Sequence, residues 1–88
     1  MMFITLAKMR GAIDEAFNKK TEEFMKNPPV GIKIHQVFHT LGEYDLIILY
    51  EAPSEMEALM AGMTFAEKAA TQTMVAIPLE KVKKLQRK

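Results

Sequence analysis

A chain of 88 residues is one domain near the lower end of what folds alone, and association is a common remedy for the surface it leaves wet. With 49% hydrophobic and 26% charged residues and no low-complexity tract, it reads as globular and not disordered. The lack of cysteine removes disulfides, thiolate nucleophiles and Cys-ligated metals together.

The first strand is expected over residues 2–9, dominated by Phe3, Ile4, Leu6 and Ala7. Lys8 and Arg10 follow this apolar start instead of preceding it, the wrong order for a signal peptide, and the run is too short to span a bilayer. A cytoplasmic protein without a membrane partner is expected. A helix opens at Gly11, with Asp14 and Glu15 in its first turn, where the helix dipole favours acid. Ile13, Ala16, Phe17, Phe24 and Met25 form its apolar side, and Asn27-Pro28-Pro29 ends it because neither proline continues a helix. A second strand is expected over 32–41, then a turn containing Gly42 and a third strand over 44–51. Ser54 with Glu57 three residues later forms a capping box, so the second helix starts at Ser54. Met56, Leu59, Met60 and Met63 give that helix a stripe read as core, and Gly62 is its weak point. A fourth strand over 70–77 is stopped by Pro78.

The tail, 79–88, is basic. The last nine residues carry Lys81, Lys83, Lys84, Arg87 and Lys88 against Glu80 alone, whereas residues 1–79 hold seven basic and ten acidic side chains. Leu79, Val82 and Leu85 recur every three residues, so the lysines are read as the wet side of a short docking helix. With a negative body and no strand interleaving basic and aromatic residues, nucleic acid is not an expected partner.

The order β-α-β-β-α-β gives an α+β, ferredoxin-like sandwich: a four-stranded antiparallel sheet with both helices on one face, plus the C-terminal helix. Right-handed crossovers are expected to set strands 1 and 3 parallel in the centre, with strands 2 and 4 at the edges. The third strand places Leu46 and Ile48 on one face and Ile47 and Leu49 on the other. The first sets Ile4 and Leu6 against Phe3 and Ala7. A sheet with one wet face alternates cleanly between apolar and polar. Burying roughly eight such side chains at about 1.5–3 kcal/mol each is a large driving force, so a second copy laid sheet to sheet is expected, as a homodimer of the dimeric α/β-barrel type.

Thr40-Leu41-Gly42-Glu43-Tyr44-Asp45, followed by Glu51-Ala52-Pro53, resembles the signature of the GYD domain family, named for Gly-x-Tyr-Asp. The similar family motif Thr-x-Thr stands as Thr71-Gln72-Thr73, and the resemblance covers residues 1 to about 78. It implies a small, mostly uncharacterised bacterial or archaeal protein with a ferredoxin-like, dimeric fold. Met9-Arg10 stand where the family has Thr before Gly11, and Glu67-Lys68-Ala69 replace its turn before the last strand. The Gly-x-Tyr-Asp turn is also similar to one in the ligand-binding domain of Lrp/AsnC regulators, whose amino-acid effectors sit between subunits.

Candidate ligand contacts are Thr40, Tyr44, Asp45, His35, His39, Thr71 and Thr73. Each also has a structural reading. Gly42 supplies the positive φ of a hairpin turn. Asp45 caps turn amides and pairs with Thr40, Tyr44 and Tyr50 suit a rim with the hydroxyl wet, and Thr71 and Thr73 are ordinary edge-strand residues. His35 and His39 are about 13 Å apart on a strand, too far for one ion. No metal, cofactor or catalytic residue is assigned. If Thr40 pairs with Asp45, then His35, His39, Tyr44 and Tyr50 share one face, while Gln36, Thr40, Asp45 and Glu51 share the other. His and Asp then form no dyad. The expected function is therefore binding of a small molecule or partner between the sheet faces of a dimer. The alternative is a cofactor-independent oxygenase or isomerase, in which a His or Asp with Tyr moves a proton.

Overall fold

The first helix starts at a side chain. Asp14, in extended backbone, accepts the Phe17 amide at 2.8 Å, so α1 spans Glu15–Lys26 and not residues from Gly11 onward. The computed structural model describes residues 1–86, and the basic Arg87 and Lys88 lie outside the described residues. Around α1 stand β1 (Met2–Met9), β2 (Lys33–His39), β3 (Leu46–Glu51), α2 (Glu55–Met63), β4 (Ala69–Val75) and α3 (Leu79–Gln86). The order is that expected. Asn27 ends α1 before the two prolines, and Pro78 separates β4 from α3. Ser54 occupies the N-cap of α2, but its hydroxyl bonds the Glu57 carboxylate and no backbone amide, so neither side chain-to-backbone bond of the expected capping box forms.

The sheet runs β2-β3-β1-β4, with every neighbouring pair antiparallel. β2 and β4 are the edges, as expected, but β1 and β3 are antiparallel and not parallel. Each β-α-β crossover returns the chain to its starting end, which makes β1 parallel to β2 and β3 parallel to β4. The β2–β3 hairpin reverses direction between the two halves, so the interleaved sheet alternates throughout. Gly42, at φ +123°, supplies the positive φ expected in that hairpin.

Both helices cover one face. Phe3, Ala7, Leu46, Ile48 and Tyr50 point into that layer and are buried. Phe65, just beyond α2, meets Phe17 and Phe24 of α1 at centroid distances of 5.9 and 5.1 Å. The side of α2 that packs is Ala58, Ala61 and Gly62. The methionine stripe does not enter the core: Met56, Met60 and Met63 are 64%, 63% and 61% exposed. The cause lies beneath the helix. Thr5 Oγ1 bonds the Tyr50 hydroxyl and Thr73 Oγ1, each at 2.8 Å, and Tyr50 donates to the Ala58 carbonyl at 3.2 Å. A helix seated on hydroxyls this closely presents small residues. A Cβ added at Gly62 would stand 3.0 Å from Thr73 Oγ1, so the weak point of the helix is its closest contact with the sheet.

Candidate functional site: the open sheet face

The other face of the sheet is apolar too. Ile4 and Leu6 of β1 and Ile47 and Leu49 of β3 occupy its centre, all half-buried, with Met2 beside them. Phe38 on β2 and Met74 on β4 flank them at 47% and 37% exposure. The C-terminal helix is no roof, because α3 has no buried residue and Leu79 and Leu85 are 65% and 67% exposed. Two-sided hydrophobicity thus leaves a platform that, among the described residues, no helix covers.

Polar groups stand at both ends of this platform. At the hairpin end, the Tyr44 hydroxyl reaches across β1 and donates to Gln72 Oε1 of β4 at 3.1 Å. At the opposite end His35 Nε2 pairs with Glu51 Oε2. The hydrogen bond with His35 holds the Glu51 carboxyl below its ordinary value, with further help from the charges of His35, Lys33 and the N-terminal amine. Glu51 also lines a cleft of about 330 Å³ bounded by Met2, Val75, Ile77 and Lys81, where α3 leaves the sheet. Gln72 is level with Ile47 through Leu6, and Glu51 stands four residue steps beyond Ile47, so the polar ends lie about 13 Å apart along the strands.

The His35–Glu51 pair contradicts the expected division of faces. Thr40 does pair with Asp45, its amide donating to the Asp45 carbonyl at 3.0 Å. Between Ile34 and Gln36, however, the β2–β3 register shifts and His35 becomes the extra residue of a bulge. A bulge breaks the two-residue alternation, so His35 joins Glu51 on the open face. His39, aligned with Leu46, stays on the helix side, as does Tyr50. Tyr44 precedes β3 and escapes the alternation.

The remaining candidates take structural positions. Asp45 Oδ2 accepts the Met9 amide at 2.7 Å, and its own amide donates to the Ala7 carbonyl at 2.9 Å, which ties the turn to the end of β1. Thr40 Oγ1 donates to the Tyr44 carbonyl at 2.6 Å. Thr73 belongs to the hydroxyl chain under α2, and Thr71 shares its face of β4. The seven candidates therefore do not converge on one point. Only Tyr44 and His35 reach the open face, at opposite ends. Glu51 and Gln72 were not among the sequence candidates. The signal for Gln72 was available, as the one polar residue between two threonines whose side chains point the other way, whereas that for Glu51 needed the bulge.

The family model named GYD domain matches residues 5–85, nearly the whole chain. The chain belongs to the GYD domain family. Membership agrees with the resemblance carried by the Gly-x-Tyr-Asp turn, and the structure gives that turn a mechanical reason. In this GYD domain Gly42 turns the hairpin, while the Tyr and Asp bind it to β4 and β1. No curated protein and no solved structure matches the chain. No described helix of the GYD domain is long and apolar enough to cross a membrane, and no group of three or more His, Asp or Glu among the described residues is arranged to hold a metal ion.

Proposed function

We propose that this GYD domain works as a homo-oligomer whose open sheet faces meet, and that the space enclosed between them binds a small, largely apolar molecule or partner. The observation that carries this reading is the uncovered platform of Ile4, Leu6, Ile47 and Leu49 flanked by Phe38 and Met74. The four central side chains are already half-buried within one copy, so covering them adds the remaining part of the about 1.5–3 kcal/mol that each gains on full burial, and a second copy of the same face supplies a matching apolar surface under two-fold symmetry. Tyr44 with Gln72 at one end and His35 with Glu51 at the other offer the few polar contacts that orient a ligand in an otherwise apolar pocket.

Leu49→Lys tests the reading. A charge there is tolerated by an exposed monomer face and not by a buried one. The expected result is a folded protein of half the native mass that has lost ligand-induced thermal stabilisation. A variant with wild-type mass removes this face as the interface. The ligand is sought by thermal shift against amino acids, haem and small aromatic compounds; no response from any of them argues against the pocket.

A second reading, proton transfer without a cofactor, draws support from one feature. A histidine hydrogen-bonded to a carboxylate at the rim of an apolar surface is the arrangement of an oriented general base. His35→Gln should then abolish turnover of an acidic carbon substrate while leaving its binding intact. Loss of binding and turnover together would assign His35 to binding alone.

A further inference from the structure

The outer arc of α2 is apolar where a solvent-facing arc is normally charged. At 100° per residue, Ala58, Ala61, Gly62 and Phe65 cluster on the buried side, while Met56, Met60 and Met63 fall on the opposite side within about 60° of one another. All three are more than three-fifths exposed. Their spacing places Met60 about 6 Å along the axis from Met56 and about 4.5 Å from Met63, one turn in each direction. Each side chain has three rotatable bonds and ends in a polarisable thioether. Three such chains on adjacent turns can bring their sulfurs to a common point above Met60.

We propose that Met56, Met60 and Met63 form a surface site for a soft monovalent cation of the Cu(I) class, bound through three thioether sulfurs. Thioethers select Cu(I) over the hard or borderline divalent ions that oxygen and imidazole ligands prefer. The charge around the stripe favours a cation: α2 carries Glu55 and Glu57 and no basic residue. The C-terminal end of the helix dipole lies beside Met63 and adds partial negative charge. Binding changes no oxidation state and makes no covalent bond. It is also independent of the sheet face, because α2 packs on the opposite side of the sheet.

The test uses the whole chain and Ag(I), a redox-inert stand-in for Cu(I), followed by Cu(I) under anaerobic ascorbate with a chromogenic competitor. Wild type should take up one ion per chain at micromolar or tighter affinity and show no comparable uptake of Zn²⁺. Met→Leu conserves volume and apolarity, so M56L/M60L/M63L should keep its melting temperature and oligomeric mass while its Kd rises at least 100-fold. Met60→Leu alone, removing the central ligand, should raise Kd at least tenfold. Unchanged uptake by the triple variant would put the ion elsewhere, on His35, His39 or another methionine, and overturn the proposal. Absence of uptake by wild type would overturn it equally. A triple variant that loses oligomeric mass would show that the stripe is a protein contact and not a metal site.

Discussion

Gly62→Ala sets two effects of similar size against each other. In an exposed helix interior, replacing glycine by alanine is worth about 1 kcal/mol in favour of folding. Here the new Cβ stands 3.0 Å from Thr73 Oγ1, with Thr5 Oγ1 at 3.9 Å behind it. Thr73 cannot yield freely, because its hydroxyl is bonded to Thr5 at 2.8 Å and a β-branched side chain has few alternative rotamers. Turning it away forfeits a hydrogen bond worth about 0.5–1.5 kcal/mol, and lifting α2 instead stretches the Tyr50–Ala58 contact and opens space over the core. The propensity gain is therefore cancelled or reversed, and G62A should be neutral to about 1 kcal/mol destabilising. In a T73A background the obstruction is gone, and the same substitution should stabilise by about 1 kcal/mol, a shift of roughly 4–8 °C in Tm for a domain of this size. Urea denaturation of the four members of this double-mutant cycle reads the coupling directly. A wild-type background in which G62A stabilises by the full increment would refute the close approach of α2 to the hydroxyl chain.

Phe65→Ala removes the ring shared by Phe17 and Phe24 and should cost about 3–5 kcal/mol, enough to leave so small a domain largely unfolded by circular dichroism. Asp45→Ala strands the Met9 amide and should lower stability by about 1–2 kcal/mol in denaturant titration; unchanged stability would free Asp45 for a ligand role. The pH dependence follows from Glu51. Its carboxyl is lowered in the folded state from an ordinary 4.5, so its contribution to stability is complete above that unfolded value and fades as pH falls through the lower folded one. Glu51→Gln should therefore flatten the loss of stability on the acid side of about 4.5, and an acid limb identical to wild type would dismiss the His35–Glu51 pair.

Much of this architecture was legible because local chemistry and tertiary need agree. The apolar run of β1, the Asn27-Pro28-Pro29 stop, the Gly42 turn and Pro78 each permit one local reading, and their order leads to the ferredoxin-like sandwich. The two-faced hydrophobicity of β3, Leu46 and Ile48 against Ile47 and Leu49, was equally plain. The errors arise where two readings have the same period. In α2, Met56-Met60-Met63 and Ala58-Ala61-Phe65 both recur at helical spacing, and the hydroxyls of Thr5, Tyr50 and Thr73 decide between them by admitting only small residues. Hydrophobicity favoured the wrong stripe. In β2, one extra residue at His35 shifts the faces on the side of the bulge away from the hairpin, while Gln36 to His39 keep theirs, and no glycine or proline marks it. The candidate site suffered most, since parity assigned His35 and Glu51 to opposite faces. The direction of β1 against β3 needed only the connections to be followed.

Sedimentation equilibrium of the wild-type chain at micromolar concentration tests the covered-face account most directly. The expected mass is at least twice 10.0 kDa, persisting on dilution and collapsing in Leu49→Lys. A stable wild-type species of 10.0 kDa would mean that Ile4, Leu6, Ile47 and Leu49 face water in the working protein, and the enclosed pocket would fall with it.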